Sequence, residues 1–468
     1  MNGYEKYKQV DEKWVKQIPE HWEMLRLKRI FQERKERNNP IVTDFILSLT
    51  SKQGVVPVSE KEGAGGNKPK DDLTLYNVAR ENDLLVNCMN VVSGSAGVSK
   101  WVGAISPVYY ALYPRDRQKF NVWFYNHIFR LVSFQRSLLG LGKGILMHES
   151  STGKLNTVRM RISMDYLNNV MLPVPSKDEQ DQIVEYLDWQ FSKINGLIQL
   201  KKQQITRINE HLQYAINKAV THGINPDAKL KNSEVFWMGS IPETWKAIKI
   251  KWLFEEDNAR NDDGTAELLT FSRKKGLIPF SEASEKQPSA SDLTSYRLVK
   301  TGQLLENRMQ AWSGMFVCVT CNGCVSPDYS VFNPSHERYV NVKFYEYVFR
   351  NPLQVEQFAN ASRGVGTGFN RLYTPAFGAI YTVYPPQNEQ DAIVEYLDEL
   401  TKSYEETSEK IEREIDSLKE LRERIVADVV TGTIDVRSIE IPEYEYVDYE
   451  DNEVDEDFID SIEDQEEE

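Results

Sequence analysis

Cys318, Cys321 and Cys324 stand at CxxCxxC spacing, and Cys88 or His336 could complete a four-ligand zinc site. The same stretch alternates, with Phe316, Cys318 and Thr320 on one side, which suits small buried side chains in a strand. Two glycine-rich stretches, Gly140-Leu141-Gly142-Lys143-Gly144 and Gly364-Val365-Gly366-Thr367-Gly368, fall outside the strand–turn–helix context of a phosphate loop. They read either as loops that let another backbone approach closely or as plain turns. Six histidines have no clustered carboxylates beside them. No constellation for catalysis emerges, and the chain is read as non-catalytic.

The elements that would position any binding residues occur twice. Ile183 to Asp188 reads IVEYLD, and so does Ile393 to Asp398, 210 residues later. Ile18-Pro19-Glu20-His21-Trp22 returns as Ile241-Pro242-Glu243-Thr244-Trp245, and Trp14 returns as Trp237. Gly54 to Glu60 returns as Gly276 to Glu282, and Ser106-Pro107 with Tyr109 as Ser326-Pro327 with Tyr329. The offset slips from 223 to 222 to 220 to 210, as expected if loops gained or lost residues. A period this long is a domain-sized duplication, not a solenoid. Val98, Trp101 and Ala104 take the three cysteine positions in the first copy, so that copy folds without a metal there. The zinc reading is disfavoured accordingly, as are disulfides in a reducing compartment.

At 468 residues the chain has room for two to four domains. No apolar run is long enough to span a bilayer, and MNGYEKYKQVDEKW has no signal-peptide character, so a cytoplasmic location is expected. The net charge of −15 is local. Residues 438–468 hold 16 acids and no Lys or Arg, leaving a near-neutral body. Such a block is normally a solvated, disordered tail, although it could contact a basic partner surface or mimic a nucleic acid.

Each copy runs from a Trp box through a mixed, strand-rich segment to a proline mark and a long helix. Residues 1–175 form one domain, 176–222 a central helix, 223–386 a second domain, 387–431 a distal helix and 432–468 the acidic tail. The class is α+β. Short helices are expected near Val122–Phe134 and Val342–Asn351. Ser176-Lys177-Asp178-Glu179 has the form of a capping box, and Asn388 is a good N-cap type. Val184, Phe191, Ile198, Ile205 and Leu212 with Leu187, Ile194, Lys201 and Ile208 make a heptad seam broken by Lys201. The distal helix carries Leu397, Tyr404, Ile411, Leu418 and Ile425 at the same spacing. Helices this long need partners, and the most economical partner for each is the other, packed antiparallel.

Two diverged segments, each closed by prolines and then Glu-Gln-x-x-Ile and a long helix, resemble the specificity subunit of Type I restriction–modification systems. The residues that carry the resemblance are Glu179-Gln180-Asp181-Gln182-Ile183 and Glu389-Gln390-Asp391-Ala392-Ile393, the paired Trp boxes, and the helix exits Ala219 to Gly223 and Val429 to Gly432. It covers nearly all of the chain except the acidic tail. It implies two target-recognition domains, each reading half of a bipartite asymmetric site in double-stranded DNA, separated by two antiparallel helices that form a coiled coil. It further implies docking of two methyltransferase subunits, with Glu179, Gln180, Ile183, Glu389, Gln390 and Ile393 at that contact. Restriction–translocase subunits join through the complex. No cofactor is expected in this chain, and S-adenosylmethionine and ATP with Mg belong to the partners. Neither an N-P-P-Y motif for base methylation nor a Walker phosphate loop is present, since Asn351-Pro352-Leu353 is not one.

A helix of this length spans on the order of 60 Å, comparable to one or two turns of B-DNA at roughly 34–36 Å each. Cations in polar or glycine-rich loops are the candidates for phosphate and base contacts. They are Ser51, Lys52, Lys143, Lys154, Arg159 and Arg161 in the first domain, and Arg273, Lys274, Lys275, Arg363 and Arg371 in the second. A coiled-coil adaptor with two protein- or ligand-binding domains would share this outline. So would a specificity subunit serving a fused restriction–methylase.

Overall fold

The computed structural model describes residues 3–51, 53–61, 72–144, 148–149, 155–156, 160–272, 276–283, 292–364 and 370–448. The chain divides into two compact units, Met1–Lys202 with Glu412–Glu468, and Gln203–Ile411. The division falls inside both long helices.

In the first unit an antiparallel sheet takes the order Phe31–Arg34, Tyr109–Pro114, Leu84–Asn87, Ala96–Val98. Side chains alternate across a strand. Leu84 and Val86 join the core under the helix Val122–Arg130, while Leu85 faces the hairpin Leu47–Thr50/Gly54–Pro57 with Leu47, Leu49 and Val55. Both faces are therefore covered. The helix side is dense with aromatic rings, including Phe31 against Tyr125 at 5.2 Å. The helix breaks at Leu131 and resumes as Val132–Ser137. Ribbons of Glu23–Arg26 with Met171–Val174, and of Tyr7–Gln9 with Gln17–Pro19, join the sheet domain to the helix that follows.

The second unit has the same element order. Its sheet runs Phe254–Asp257, Tyr329–Pro334, Leu304–Asn307, Phe316–Cys318, backed by the helix Val342–Phe349. The hairpin Leu269–Ser272/Gly276–Pro279 covers the other face. Cys318 and Cys324 lie in different strands, with Cys324 fully buried. Burial pushes the Cys318 thiol up to about 11, with Glu346 adding to the shift. Among the described residues no three His, Cys, Asp or Glu side chains converge as metal ligands.

The central helix is Lys177–His222 and the distal helix Gln387–Val430. The Ser176 hydroxyl accepts the Glu179 amide at 3.3 Å, the first half of a capping box, while the Glu179 carboxylate bonds to Tyr4 and Trp22 instead. Asn388 is not the N-cap, because the distal helix already begins at Gln387 and Pro386 O accepts the first free amides. Within the first unit, Ile183 and Leu187 share a core with Val429 and Val430. Further along, Arg422 lies 4.4 Å over the Phe191 ring and Lys201 pairs with Glu414 at 2.5 Å. Positions climb on one helix as they fall on the other. In the second unit Ile216 and Val220 share a core with Ile393 and Leu397. Among the described residues no helix is long and apolar enough to cross a membrane.

The acidic segment departs from expectation. Residues 432–448 are ordered along the first part of the central helix, where Ile434, Ile439 and Ile441 pack against the first core. The expectation of a disordered tail from residue 432 does not hold over this stretch, because helix side chains hydrogen-bond its main chain. Residues 449–468 lie outside the described residues.

Candidate nucleic-acid interface

Three features of the first unit bear on the site: the hairpin Leu47–Thr50/Gly54–Pro57, the turn 87–94, and the paired strands Lys143–Gly144 and Met160–Arg161. Each is fixed by local chemistry. Gly54 and Gly94 take the left-handed conformation that a side chain resists. The Asn87 side chain accepts the Met89 amide at 3.0 Å, and the Arg130 guanidinium donates to Ser51 O at 3.2 Å. A Cβ on Gly97 would stand 2.9 Å from the Val55 amide nitrogen, so the hairpin lies flush on the strand Ala96–Val98. The paired strands dock through Ile162 N to Cys88 O at 2.9 Å.

The second unit repeats the arrangement with other side chains. Gly276 and Gly314 turn its loops, Asn307 accepts the Met309 amide at 3.1 Å, and Leu372 N donates to Arg308 O at 3.2 Å. Its matching strand pair is closer in sequence. Lys143 matches Arg363 at an offset of 220 residues, and Arg161 matches Arg371 at 210. The last slip of the repeat thus falls between these two strands.

In both strand pairs two cations stand directly opposite, Lys143 with Arg161 and Arg363 with Arg371. Like charges so placed are mutually destabilising. The same pairing of cation positions recurs at one place in both units.

Of the other expected contacts, Ser51 sits at the hairpin tip, and Arg161 and Arg363 are exposed. Arg161 lies beside Cys88 and Tyr110. Arg371 is partly engaged with Asp328 at 3.4 Å. Lys52, Lys154, Arg159, Arg273, Lys274 and Lys275 lie outside the described residues.

The residues expected to meet a partner subunit serve an internal purpose. Glu179 is 4% exposed, Gln180, Ile183, Gln390 and Ile393 are buried, and Glu389 is half-buried. Glu179 accepts from Trp22 Nε1 at 3.0 Å and Tyr4 Oη at 2.6 Å, and meets His21 at 3.0 Å. Gln180 bridges the Asn121 amide and Pro175 O, and Gln390 bridges the Asn341 amide and Pro385 O. Asn121 and Asn341 also donate to Asp181 and Asp391. The Glu-Gln-Asp run is a fastener between the helix, the Trp box and the sheet domain.

Sequence reasoning missed a polar network in the second unit. Arg308 donates to Ser330 Oγ at 2.7 Å, and Arg297 to Glu256 at 3.2 Å. Beside them Glu306 is fully buried, with no hydrogen-bond partner for either carboxyl oxygen among the described residues. Burial pushes its carboxyl up to about 8. The signal was available in the repeat, since Leu84-Leu85-Val86-Asn87-Cys88 becomes Leu304-Leu305-Glu306-Asn307-Arg308.

Two sheet domains of this topology and two long helices define a fold shared with a chain from a restriction–modification system. The structure is similar to a chain in a solved structure described as the basis of complex assembly and conformational transition of the type I R-M system, with a TM-score of 0.60 and 15% identity, covering 88% of this chain and 98% of that one. The HsdS subunit from Thermoanaerobacter tengcongensis aligns at 15% identity over 91% of this chain and 100% of its own, with a TM-score of 0.48. In sequence, the chain is 23% identical over 237 residues to the Type I restriction enzyme MjaVIII specificity subunit of Methanocaldococcus jannaschii, covering 50% of this chain and 49% of that protein. The match thus spans about half the length of that curated relative. No family model matches the sequence. The chain is thus similar in fold to a chain of a type I R-M system and, over about half of its sequence, to a Type I restriction enzyme specificity subunit.

Proposed function

We propose that this chain is the non-catalytic DNA-specificity subunit of a Type I restriction–modification enzyme, with each unit reading one half of a bipartite, asymmetric site. The reading rests on one observation above others, the opposed cation pairs Lys143/Arg161 and Arg363/Arg371 at the same place in both units. The duplicated sheet domains are then two target-recognition domains with different loops on one scaffold. The opposed contacts of the two helices in the first unit, and their shared core in the second, support an antiparallel coiled coil that sets the spacing between half-sites and presents faces to two methyltransferase subunits. Restriction–translocase subunits, S-adenosylmethionine and ATP with Mg enter through those partners.

The test is salt-dependent DNA binding by the assembled methyltransferase complex. Each phosphate contact contributes about −0.9 to the slope of log K against log salt. Lys143→Ala with Arg161→Ala should reduce that slope by about 2 and loosen one half-site only. Arg363→Ala with Arg371→Ala should loosen the other. A complex that protects DNA without sequence preference, or not at all, would leave the adaptor reading instead.

A further inference from the structure

Both long helices begin with the same fastener, yet they differ just beyond it. On the central helix Gln182, Ser192, Asn195 and Gln199 form one stripe, and each contacts the acidic segment. Gln182 Nε2 donates to Val436 O at 3.1 Å and Ile439 O at 2.8 Å. Ser192 Oγ donates to Glu445 O at 2.7 Å and stands 2.9 Å from the donating Val447 amide. Asn195 Nδ2 donates to Val447 O at 2.8 Å, and Gln199 Nε2 to Asp448 O at 3.2 Å. All of these bonds reach main chain, so the stripe holds an extended backbone whatever its side chains. Ser192 and Asn195 are buried beneath it.

Among the described residues no segment is hydrogen-bonded along the distal helix in this way. At the 210-residue offset its equivalent residues are Ala392, Lys402, Glu405 and Glu409, of which the last three are exposed. The segment is also incompletely matched to its seat. The Asn195 Oδ1 atom is buried with no donor among the described residues, and the Glu440, Glu443 and Glu445 side chains stay exposed.

We propose that residues 438–448 are a displaceable strap that competes, in cis, with a methyltransferase subunit for this face of the central helix. The strap makes the two docking faces unequal: the distal helix is open and the central helix is latched. The first partner subunit then binds at the distal helix, and the second must lift the strap. The inference rests on the methyltransferase-docking reading above. Where the strap is closed nine-tenths of the time or more, the apparent affinity at the covered face falls about tenfold or more.

The experiment titrates the purified methyltransferase subunit onto the full chain and onto a chain ending at Arg437. The full chain should show two sites of unequal affinity. Truncation should raise the weaker one about tenfold, and a synthetic peptide of residues 438–448 added in trans should reverse the gain. Full-length Ser192→Ala/Asn195→Ala, with hydrogen exchange followed at the Val447 amide, should give the same gain with faster exchange. Two sites unchanged by truncation, or a site weakened by it, would overturn the strap. A chain that binds no methyltransferase subunit in any form would overturn the docking reading instead.

Discussion

Trp22 and Glu179 lie 157 residues apart and are joined by an indole-to-carboxylate hydrogen bond of 3.0 Å, with both side chains buried. Trp245 and Glu389 repeat the bond at 2.7 Å in the second unit. The two carboxylates differ in surroundings. Glu179 also receives Tyr4 and meets His21, whereas Glu389 is half-buried. A buried donor left without its acceptor costs more than the bond it lost. Glu179→Ala strands both Trp22 and Tyr4 and should destabilise the first unit by about 3 kcal/mol. Glu389→Ala should cost the second unit about 1 kcal/mol. Urea unfolding followed by tryptophan fluorescence reads both, and equal losses would contradict this account.

Glu306 gives the second unit a pH dependence of definite sign. Its folded carboxyl titrates at about 8, raised from an ordinary 4.5 by burial. The folded state therefore holds the proton more tightly than the unfolded state does. Stability is undiminished below about 4.5 and declines as pH rises from there to about 8, levelling off above. Glu306→Gln keeps the shape and removes the titration. At pH 7 it should be the more stable chain by at most about 3 kcal/mol, and near pH 4.5 the difference should vanish. Melting both proteins at pH 5 and pH 8 checks this, and a gap that does not grow with pH would exclude a protonated Glu306.

The helices were legible because heptad spacing and caps are local signals, and Lys201, the one polar break in the seam, proves to be paired with Glu414. The repeated letters also anticipated the matching element order of the two units. The direction in which side chains point was not. Repetition of Glu-Gln-Asp signals that both copies need the run, but the same letters would serve an outer docking face or an inner fastener. The acidic segment misled for a related reason. Its charge predicts repulsion and extension, whereas its attachment uses main-chain atoms seen by Ser192, Asn195 and Gln199, which no composition reveals.

Gly97 sets how closely the first unit's hairpin approaches its sheet. The matching residue of the second unit is Val317, whose side chain is accommodated there 3.7 Å from a Cβ built on Gly276. In the first unit a Cβ at residue 97 meets Val55 N at 2.9 Å and Gly54 Cα at 3.1 Å, and backbone cannot yield as a side-chain end does. Gly97→Val should lift the hairpin and destabilise the first unit by about 1–3 kcal/mol. If the tip at Ser51 reads bases, discrimination at one half-site should collapse while the other survives. Binding of the assembled complex to DNA randomised in each half-site separates the two. Unchanged discrimination at both would remove this hairpin from the interface.

Gly432 and Gly223 end the two long helices with nearly the same backbone, φ +74° and +75°. A side chain in that left-handed conformation costs about 1 kcal/mol at either place. Their neighbours differ. A Cβ on Gly432 would lie 2.4 Å from Pro19 Cδ and 3.1 Å from Trp22, inside the Trp box of the first unit. On Gly223 the nearest atom is Trp245 Cζ2 at 3.5 Å, an ordinary contact. Pro19 is held by its strand and cannot swing away. Gly432→Ala should therefore cost about 3 kcal/mol, lost from the first unit, against about 1 kcal/mol for Gly223→Ala in the second. Hydrogen exchange at amides 429–436 and 219–223 should show the unequal loosening. Equal effects would mean that the Trp box gives way, and that the closure between residues 19 and 432 is looser than its contacts require.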